Sequence, residues 1–122
     1  MEYKTLAQIK EEHPEWFNGT PEAEVAEIIA LHAKWLNGEE DGKRAWFNRK
    51  NFRNACFQGA DLTNALFFNC DLGLADFDYA NLTNTRFDGS SLIGAYFDGA
   101  IITGTSFDGA DLSDSILDTE ED

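Results

Sequence analysis

A repeat of five residues dominates the sequence and runs without a change of phase from residue 45 to residue 119. The central residue of every unit is Phe, Leu or Ile, and the residue two positions earlier is small in every unit except at Lys50. A period of five matches neither the 3.6 residues of a helical turn nor the 2.0 of a strand, so the chain must turn sharply once per unit. The fifteen central residues are Phe47, Phe52, Phe57, Leu62, Phe67, Leu72, Phe77, Leu82, Phe87, Leu92, Phe97, Ile102, Phe107, Leu112 and Leu117.

Several units carry a consensus known from other proteins. Residues 60–64 read Ala-Asp-Leu-Thr-Asn, residues 80–84 Ala-Asn-Leu-Thr-Asn and residues 110–114 Ala-Asp-Leu-Ser-Asp. They resemble the A(D/N)LXX consensus of the pentapeptide-repeat family, and the resemblance covers about 75 of the 122 residues. It implies a mainly β fold, a right-handed quadrilateral β-helix with four units per coil. About 15 units would then make just under four coils.

Four units per coil would stack residues that are 20 apart in the sequence. With this spacing the Phe residues separate into two ladders, which the resemblance implies face each other across the core, with mostly Leu between them. Gly or Asn recurs two positions after the centre, where a corner needs a permissive backbone. The two ladders are Phe47, Phe67, Phe87 and Phe107, and opposite them Phe57, Phe77, Phe97 and Leu117.

The chain divides into an α-helical N-terminal cap over residues 1–43, the β-helix over 44–119 and an acidic tail over 120–122. Apolar residues at helical spacing follow Thr20-Pro21, a cap with Pro at the first helical position, and Asn37-Gly38 ends that helix. A weaker helix is predicted over residues 5–13, with Trp16 and Phe17 packing on the first coil. An open end of a solenoid needs such a cover because it exposes core and strand edges.

The C-terminal coil is predicted to be covered by the acidic tail, by a partner or by another copy of the chain. Some DNA-mimicking members of the family dimerise through their C-terminal coils, so the resemblance implies an end-to-end homodimer as one arrangement.

Charge restricts the partners of this chain. Its formal net charge is -14, and from Asn54 onward 13 acidic residues accompany the single basic residue Arg86. This balance argues against direct binding of nucleic acid or an anionic membrane, and favours a basic protein partner or solubility alone. Two Cys, no basic apolar leader and no apolar run approaching about 18 residues predict a reduced, cytoplasmic location without a membrane span.

Carboxylates are expected in columns on two opposite faces of the rod. They keep a β-rich solenoid soluble, or they imitate the phosphate charge of a DNA duplex. Family members that resemble duplex DNA occupy the DNA site of type II topoisomerases such as gyrase, although this chain is short and lacks an evident projecting loop. The residues predicted to form the DNA-mimic surface are Asp76, Asp78, Asp88, Asp98, Asp108 and Asp118.

The leading hypothesis is therefore a non-enzymatic DNA mimic that occupies the basic DNA-binding groove of a bacterial topoisomerase, CRISPR effector or restriction enzyme. Residues 31–45 resemble the segment that precedes pentapeptide repeats in many phage and prophage proteins, which favours a phage-encoded inhibitor. The alternative is an adaptor that uses the helical cap and the outward residues Leu66, Phe68 and Tyr96. Leu66 and Phe68 either receive the N-terminal segment or anchor a partner. A third reading has the helices alone contact a partner, with the solenoid as a spacer.

No catalytic residue, metal site or cofactor is predicted. His32 falls on the apolar side of its helix and is expected to pack in the core, and His13 precedes a Pro at a helix end. Cys70 takes an inward slot and Cys56 an outward one on another face, so neither a disulfide nor a metal pair is expected between them. Calcium binding on the Asp columns stays open as a lesser alternative.

Overall fold

A computed structural model describes residues 22–116 of the chain. It contains one helix, α1 (Glu22–Leu36), and two short strands, β1 (Trp46–Asn48) and β2 (Leu66–Phe68), within these residues. The strands pair in parallel with Trp46 opposite Leu66 and Phe67 opposite Phe47. Helix α1 thus ends where the sequence predicts, directly before Asn37-Gly38. The predicted cap at Thr20-Pro21, the predicted helix over residues 5–13, the residues Trp16 and Phe17 and the acidic tail over 120–122 lie outside the described part.

Parallel bridges continue this register along the solenoid, always between residues that are 20 apart. They start with Asn51 and Asp71 and reach Tyr96 and Ile116. Within each coil, the N–H of the small inward residue also donates to the carbonyl of the preceding centre, as Ala75 N–H does to Leu72 O at 3.0 Å. The predicted stacking of residues 20 apart is confirmed, and each unit is closed by one turn and tied to its neighbouring coils by backbone hydrogen bonds.

A left-handed residue stands two positions after the centre in fourteen consecutive units, from Arg49 to Asp114. Most of these residues are Gly or Asn, which adopt positive φ at low cost. Leu74 and Tyr79 are exceptions, with φ of 60° and 61°. An ordinary side chain in this region costs roughly 1–2 kcal/mol per residue, so the solenoid imposes the corner even where the sequence disfavours it.

The core contains the two predicted Phe ladders, with fully buried Leu residues between them. Phe77 stacks between Phe57 and Phe97, with ring centroids 5.2 Å and 5.3 Å away and planes within 9° of parallel. Phe87 meets Phe77 edge-on from the other ladder at 5.2 Å and 71°. Stacked contacts along a ladder and edge-on contacts across the core are the geometries that aromatic quadrupoles prefer. The prediction of two facing ladders is confirmed for the Phe residues, whereas Leu117, the fourth member of the second ladder, lies outside the described part.

Helix α1 packs against the first coil. Val25 is buried in the same cluster as the Phe ladders, and Ile28 and Ile29 lie against it. Lys50, the large residue in an otherwise small slot, forms an ion pair with Glu24 of α1 at 2.8 Å. The irregular residue in the repeat thus reaches the helix instead of filling the core.

Candidate functional site

The outer surface of the solenoid has four faces, each made by units 20 residues apart. The Phe57 face comprises the units centred on Phe57, Phe77 and Phe97, and the Phe47 face, opposite to it, those centred on Phe47, Phe67, Phe87 and Phe107. On each face the residues before and after the centre point outward, since the centre itself is directed into the core. Five of the six predicted site residues lie on these two faces within the described part; Asp118 lies beyond residue 116 and outside it.

Three carboxylates occupy the Phe57 face. The Asp98 N–H donates to Oδ1 of Asp78 at 2.8 Å, and the Asp78 N–H donates to Oδ1 of Asp76 at 2.9 Å. Within residues 22–116, no Lys or Arg forms an ion pair with any of the three. Backbone N–H groups therefore orient the carboxylates of Asp76 and Asp78, and all three carboxylates keep their charge available for a partner.

The Phe47 face differs, because its first predicted carboxylate is already engaged. Arg86 forms an ion pair with Asp88 at 2.5 Å, and the Ser106 hydroxyl donates to the same carboxylate at 2.7 Å. Asp108 on the next coil is exposed. The column on this face thus retains less charge than the sequence alone suggests.

Acidic or amide residues directly before the centre have a local role that sequence reasoning missed. Asp61 accepts hydrogen bonds from the Thr63 N–H and hydroxyl, and Asp111 accepts the same pair from Ser113. The Ser113 hydroxyl and N–H hold the pKa of Asp111 below its ordinary value. Asp76 also occupies this position, so its carboxylate closes a turn as well as facing solvent. The spacing of an Asp or Asn two residues before a Thr, Ser, Gly or Asp was the available signal.

The predicted apolar contact residues do not form one surface. Leu66 and Phe68 are half-buried on the Phe47 face, where the Arg86 guanidinium lies over the Phe68 ring at 5.7 Å. Tyr96 lies on the Phe57 face, bridged to Asp76, and is exposed. Of the three residues, Tyr96 is the one that adjoins the free carboxylates.

A cavity of about 200 Å³ opens between α1 and the first coil. Arg44 at its edge donates to the Asn64 carbonyl at 2.8 Å and lies over the Trp35 ring. Most of its lining is apolar, so the cavity suits an apolar group. It is lined by Ile28, Leu31, Lys43, Arg44, Ala45 and Phe47.

The described residues contain no group of three or more His, Cys, Asp or Glu side chains arranged to hold a metal ion. Over the same part of the chain, no helix has both the length and the apolar character needed to cross a membrane. Cys56 is exposed and Cys70 buried, and both are free thiols.

Solved structures similar to this chain include several solenoids. Rfr23 from the cyanobacterium Cyanothece 51142 is 24% identical, with a TM-score of 0.49 over 58% of this chain and 46% of that one. The protein alr5209 from Nostoc PCC 7120 is 26% identical, with a TM-score of 0.37 over 72% and 73% of the two chains. QnrB1, a plasmid-mediated fluoroquinolone resistance protein, is 24% identical, with a TM-score of 0.24 over 52% and 39%. The chain spans less than half the length of Rfr23.

No curated protein sequence gives a significant match. The family model for pentapeptide repeats matches residues 47–84 and 80–118, with 8 copies of the repeat. These matched residues span more than half of the chain, and as far as residue 116 they form the bridged coils with the Phe and Leu core. The chain belongs to the pentapeptide-repeat family, whose fold is a right-handed β-helix.

Proposed function

We propose that this protein is a non-enzymatic, cytoplasmic DNA mimic that binds a basic DNA-binding groove on a bacterial protein. Topoisomerases, CRISPR effectors and restriction enzymes are the expected classes of target, and the role is that of a phage-encoded inhibitor. The observation that carries the proposal is the carboxylate column on the Phe57 face, where Asp78 and Asp98 have no cationic partner among the described residues.

The spacing of the column supports this proposal. Paired coils lie roughly 4.8 Å apart, and phosphates on one DNA strand follow each other by about 3.4 Å along the helix axis. Asp108 adds charge on the opposite face, so a groove that surrounds the rod would meet carboxylates on two sides, as it does with a duplex. Like charges stacked at strand spacing repel each other, which means that the column costs stability unless a basic partner neutralises it.

The experiment immobilises the protein, passes bacterial lysate over it and adds duplex DNA as a competitor. We expect DNA to release the retained protein, because its phosphates compete with the carboxylates for the same cationic surface. Rising salt should release it as well, because salt screens that attraction. The double substitution Asp78→Asn and Asp98→Asn should abolish retention. The matched control is Asp61→Asn with Asp111→Asn, which removes the same charge from the other two faces and keeps the turn-closing oxygen. Retention that ignores DNA, salt and the first pair of substitutions would refute the proposal.

The alternative function is an adaptor that binds its partner through the helical cap. The cavity beside α1 favours it, because Ile28, Leu31 and Phe47 offer an apolar wall to an incoming side chain. In that case Leu31→Ser should abolish retention in the same lysate experiment, while Asp78→Asn with Asp98→Asn should leave it unchanged.

A further inference from the structure

Exposed apolar side chains gather around the Phe57 face. Seven large apolar residues are exposed in the described part of the chain, of which two lie on this face, two at its corners and two on the adjoining faces. The seventh, Trp46, lies on the opposite Phe47 face. Exposed apolar residues scattered singly are normal, but four of these residues adjoin the carboxylates of one face, and such a grouping marks an interaction surface. The six are Leu74, Tyr79, Ile93, Tyr96, Ile101 and Ile116.

Four of the six lie beside the carboxylates, either at the position before the centre or at a corner of the face. Tyr96 and Ile116 are bridged neighbours at the position before the centre. At one edge the Leu74 side chain covers Gly94, where an added Cβ would lie 2.7 Å from Leu74 Cδ2, and the Leu74 N–H donates to the Ile93 carbonyl at 2.9 Å. These contacts join the edge to the centre of the face through residues 93–96.

The other edge is built in the same way. The Tyr79 ring covers Gly99, where an added Cβ would lie 2.5 Å from the ring, and Ile101 follows two residues later. Asp78 and Asp98 lie between the two edges. We call this surface the amphipathic face: Leu74, Tyr79, Tyr96 and Ile116 together with Asp76, Asp78 and Asp98.

Packing within the solenoid does not account for the two corner residues of this face. Leu74 and Tyr79 both adopt positive φ, where Gly or Asn would be less strained. Tyr79 is 63% exposed, so its burial offsets little of that cost, and Leu74 still exposes 43% of its surface although it packs on Gly94. Strain that the fold itself does not use points to a function for the side chains.

We propose that the amphipathic face binds a basic amphipathic segment of a partner protein, in which Lys or Arg side chains flank apolar ones. The proposal rests on the proposed function for the basic character of the partner, and it adds apolar anchors that have no counterpart in DNA. Charge excludes a second copy as the occupant, because two such faces packed together would bring Asp78 and Asp98 of both copies into contact. Tyr is enriched among the residues that dominate binding energy at interfaces.

The test measures binding of two synthetic helical peptides by fluorescence anisotropy. The first carries Lys on one side and Leu on the other, and the second has the same charge with Ser in place of every Leu. We expect the full-length protein to bind the Lys-Leu peptide at least about tenfold more tightly. Tyr96→Ser with Ile116→Ser should remove that preference and leave the affinity for the Lys-Ser peptide unchanged. Trp46→Ser, the matched change on the opposite face, should leave both affinities unchanged.

Equal binding of the two peptides by the unmodified protein would overturn the inference, and so would a preference that survives Tyr96→Ser with Ile116→Ser. Failure of the proposed function gives a different result: the Lys-Ser peptide would bind the Asp78→Asn, Asp98→Asn protein as tightly as the unmodified one. Sedimentation of the unmodified protein completes the test. A dimer that Tyr96→Ser with Ile116→Ser dissociates would assign the amphipathic face to a second copy and overturn the inference.

Discussion

His32 is expected to hold α1 against the solenoid through two hydrogen bonds of its side chain. Its side chain is fully buried, Nδ1 accepts the Ala45 N–H at 2.9 Å, and Nε2 donates to the Thr63 carbonyl at 2.9 Å. These two partners require the neutral ring with its proton on Nε2. One side chain therefore connects the helix to the start of the first coil at residue 45 and to the last unit of that coil at residue 63.

The substitution His32→Ala should lower the free energy of unfolding by roughly 3 kcal/mol. The Ala45 N–H belongs to a buried residue, and leaving it unsatisfied costs about 1–3 kcal/mol. The Thr63 carbonyl lies in a half-buried residue that water reaches, so losing its hydrogen bond costs only about 1 kcal/mol. The stacking of the imidazole on Trp35, with centroids 5.4 Å apart, is lost as well.

A fall in pH should weaken the same contact between His32 and the solenoid. Burial lowers the pKa of His32 below its ordinary value of 6.5, although the Thr63 carbonyl and Asp61 partly oppose this and Arg44 adds to it. The unfolded chain consequently binds a proton at His32 before the folded chain does. The stability that neutral His32 contributes is complete above pH 6.5 and is lost as the pH falls below that value toward the lowered pKa.

Urea denaturation followed by circular dichroism, at about pH 7.5 and about pH 5.5, measures both effects. Comparison with His32→Gln isolates this residue from the other groups that titrate, because Gln keeps a donor and an acceptor without gaining charge. Hydrogen exchange of the Ala45 amide reports on this hydrogen bond directly, and its protection relative to the intrinsic exchange rate at each pH should fall in acid. The reasoning is refuted if His32→Gln shows the same loss between the two pH values as the unmodified protein, or if His32→Ala costs less than about 1 kcal/mol.

Two further predictions concern the core and the corners. Phe77→Ala should lower the free energy of unfolding, measured by urea denaturation, by about 3–5 kcal/mol, because Phe77 is fully buried between two stacked rings. Phe107→Ala, at a half-buried position, should lower it clearly less. An equal loss for the two substitutions would contradict the assigned core. Gly99→Ala should lower the melting temperature more than Gly59→Ala does, since both have positive φ but an added Cβ meets the Tyr79 ring only at Gly99; the difference should disappear when Tyr79 is also replaced by Gly.

Much of the fold follows from the phase of the repeat. Each position in a five-residue unit has one environment in every coil, so the identity of the centre and of the small residue determines the core without knowledge of distant contacts. The 20-residue register then assigns residues such as Asp78 and Asp98 to one face by counting alone. Helix α1 was predictable from its own apolar spacing and from the Asn37-Gly38 stop, which are also local signals.

Partnerships between side chains were not predictable in this way. That Asp88 is engaged depends on the rotamer of Arg86, two residues earlier on the same coil, and on the hydroxyl of Ser106 from the next coil. The apolar spacing of the helix predicted that His32 lies in the core. It did not predict the hydrogen bonds of His32 with Ala45 and Thr63, which lie 13 and 31 residues away along the chain.

The sequence by itself determined the solenoid, its register and the faces on which its charges lie, because a strict repeat converts position in the chain directly into position in space. Tertiary structure alone decided which carboxylates remain unpaired, and that Leu74 and Tyr79 stay exposed on strained corners beside them. The physical reason is that pairing and exposure depend on side chains brought together from different coils and from α1, and a five-residue pattern carries no information about those neighbours.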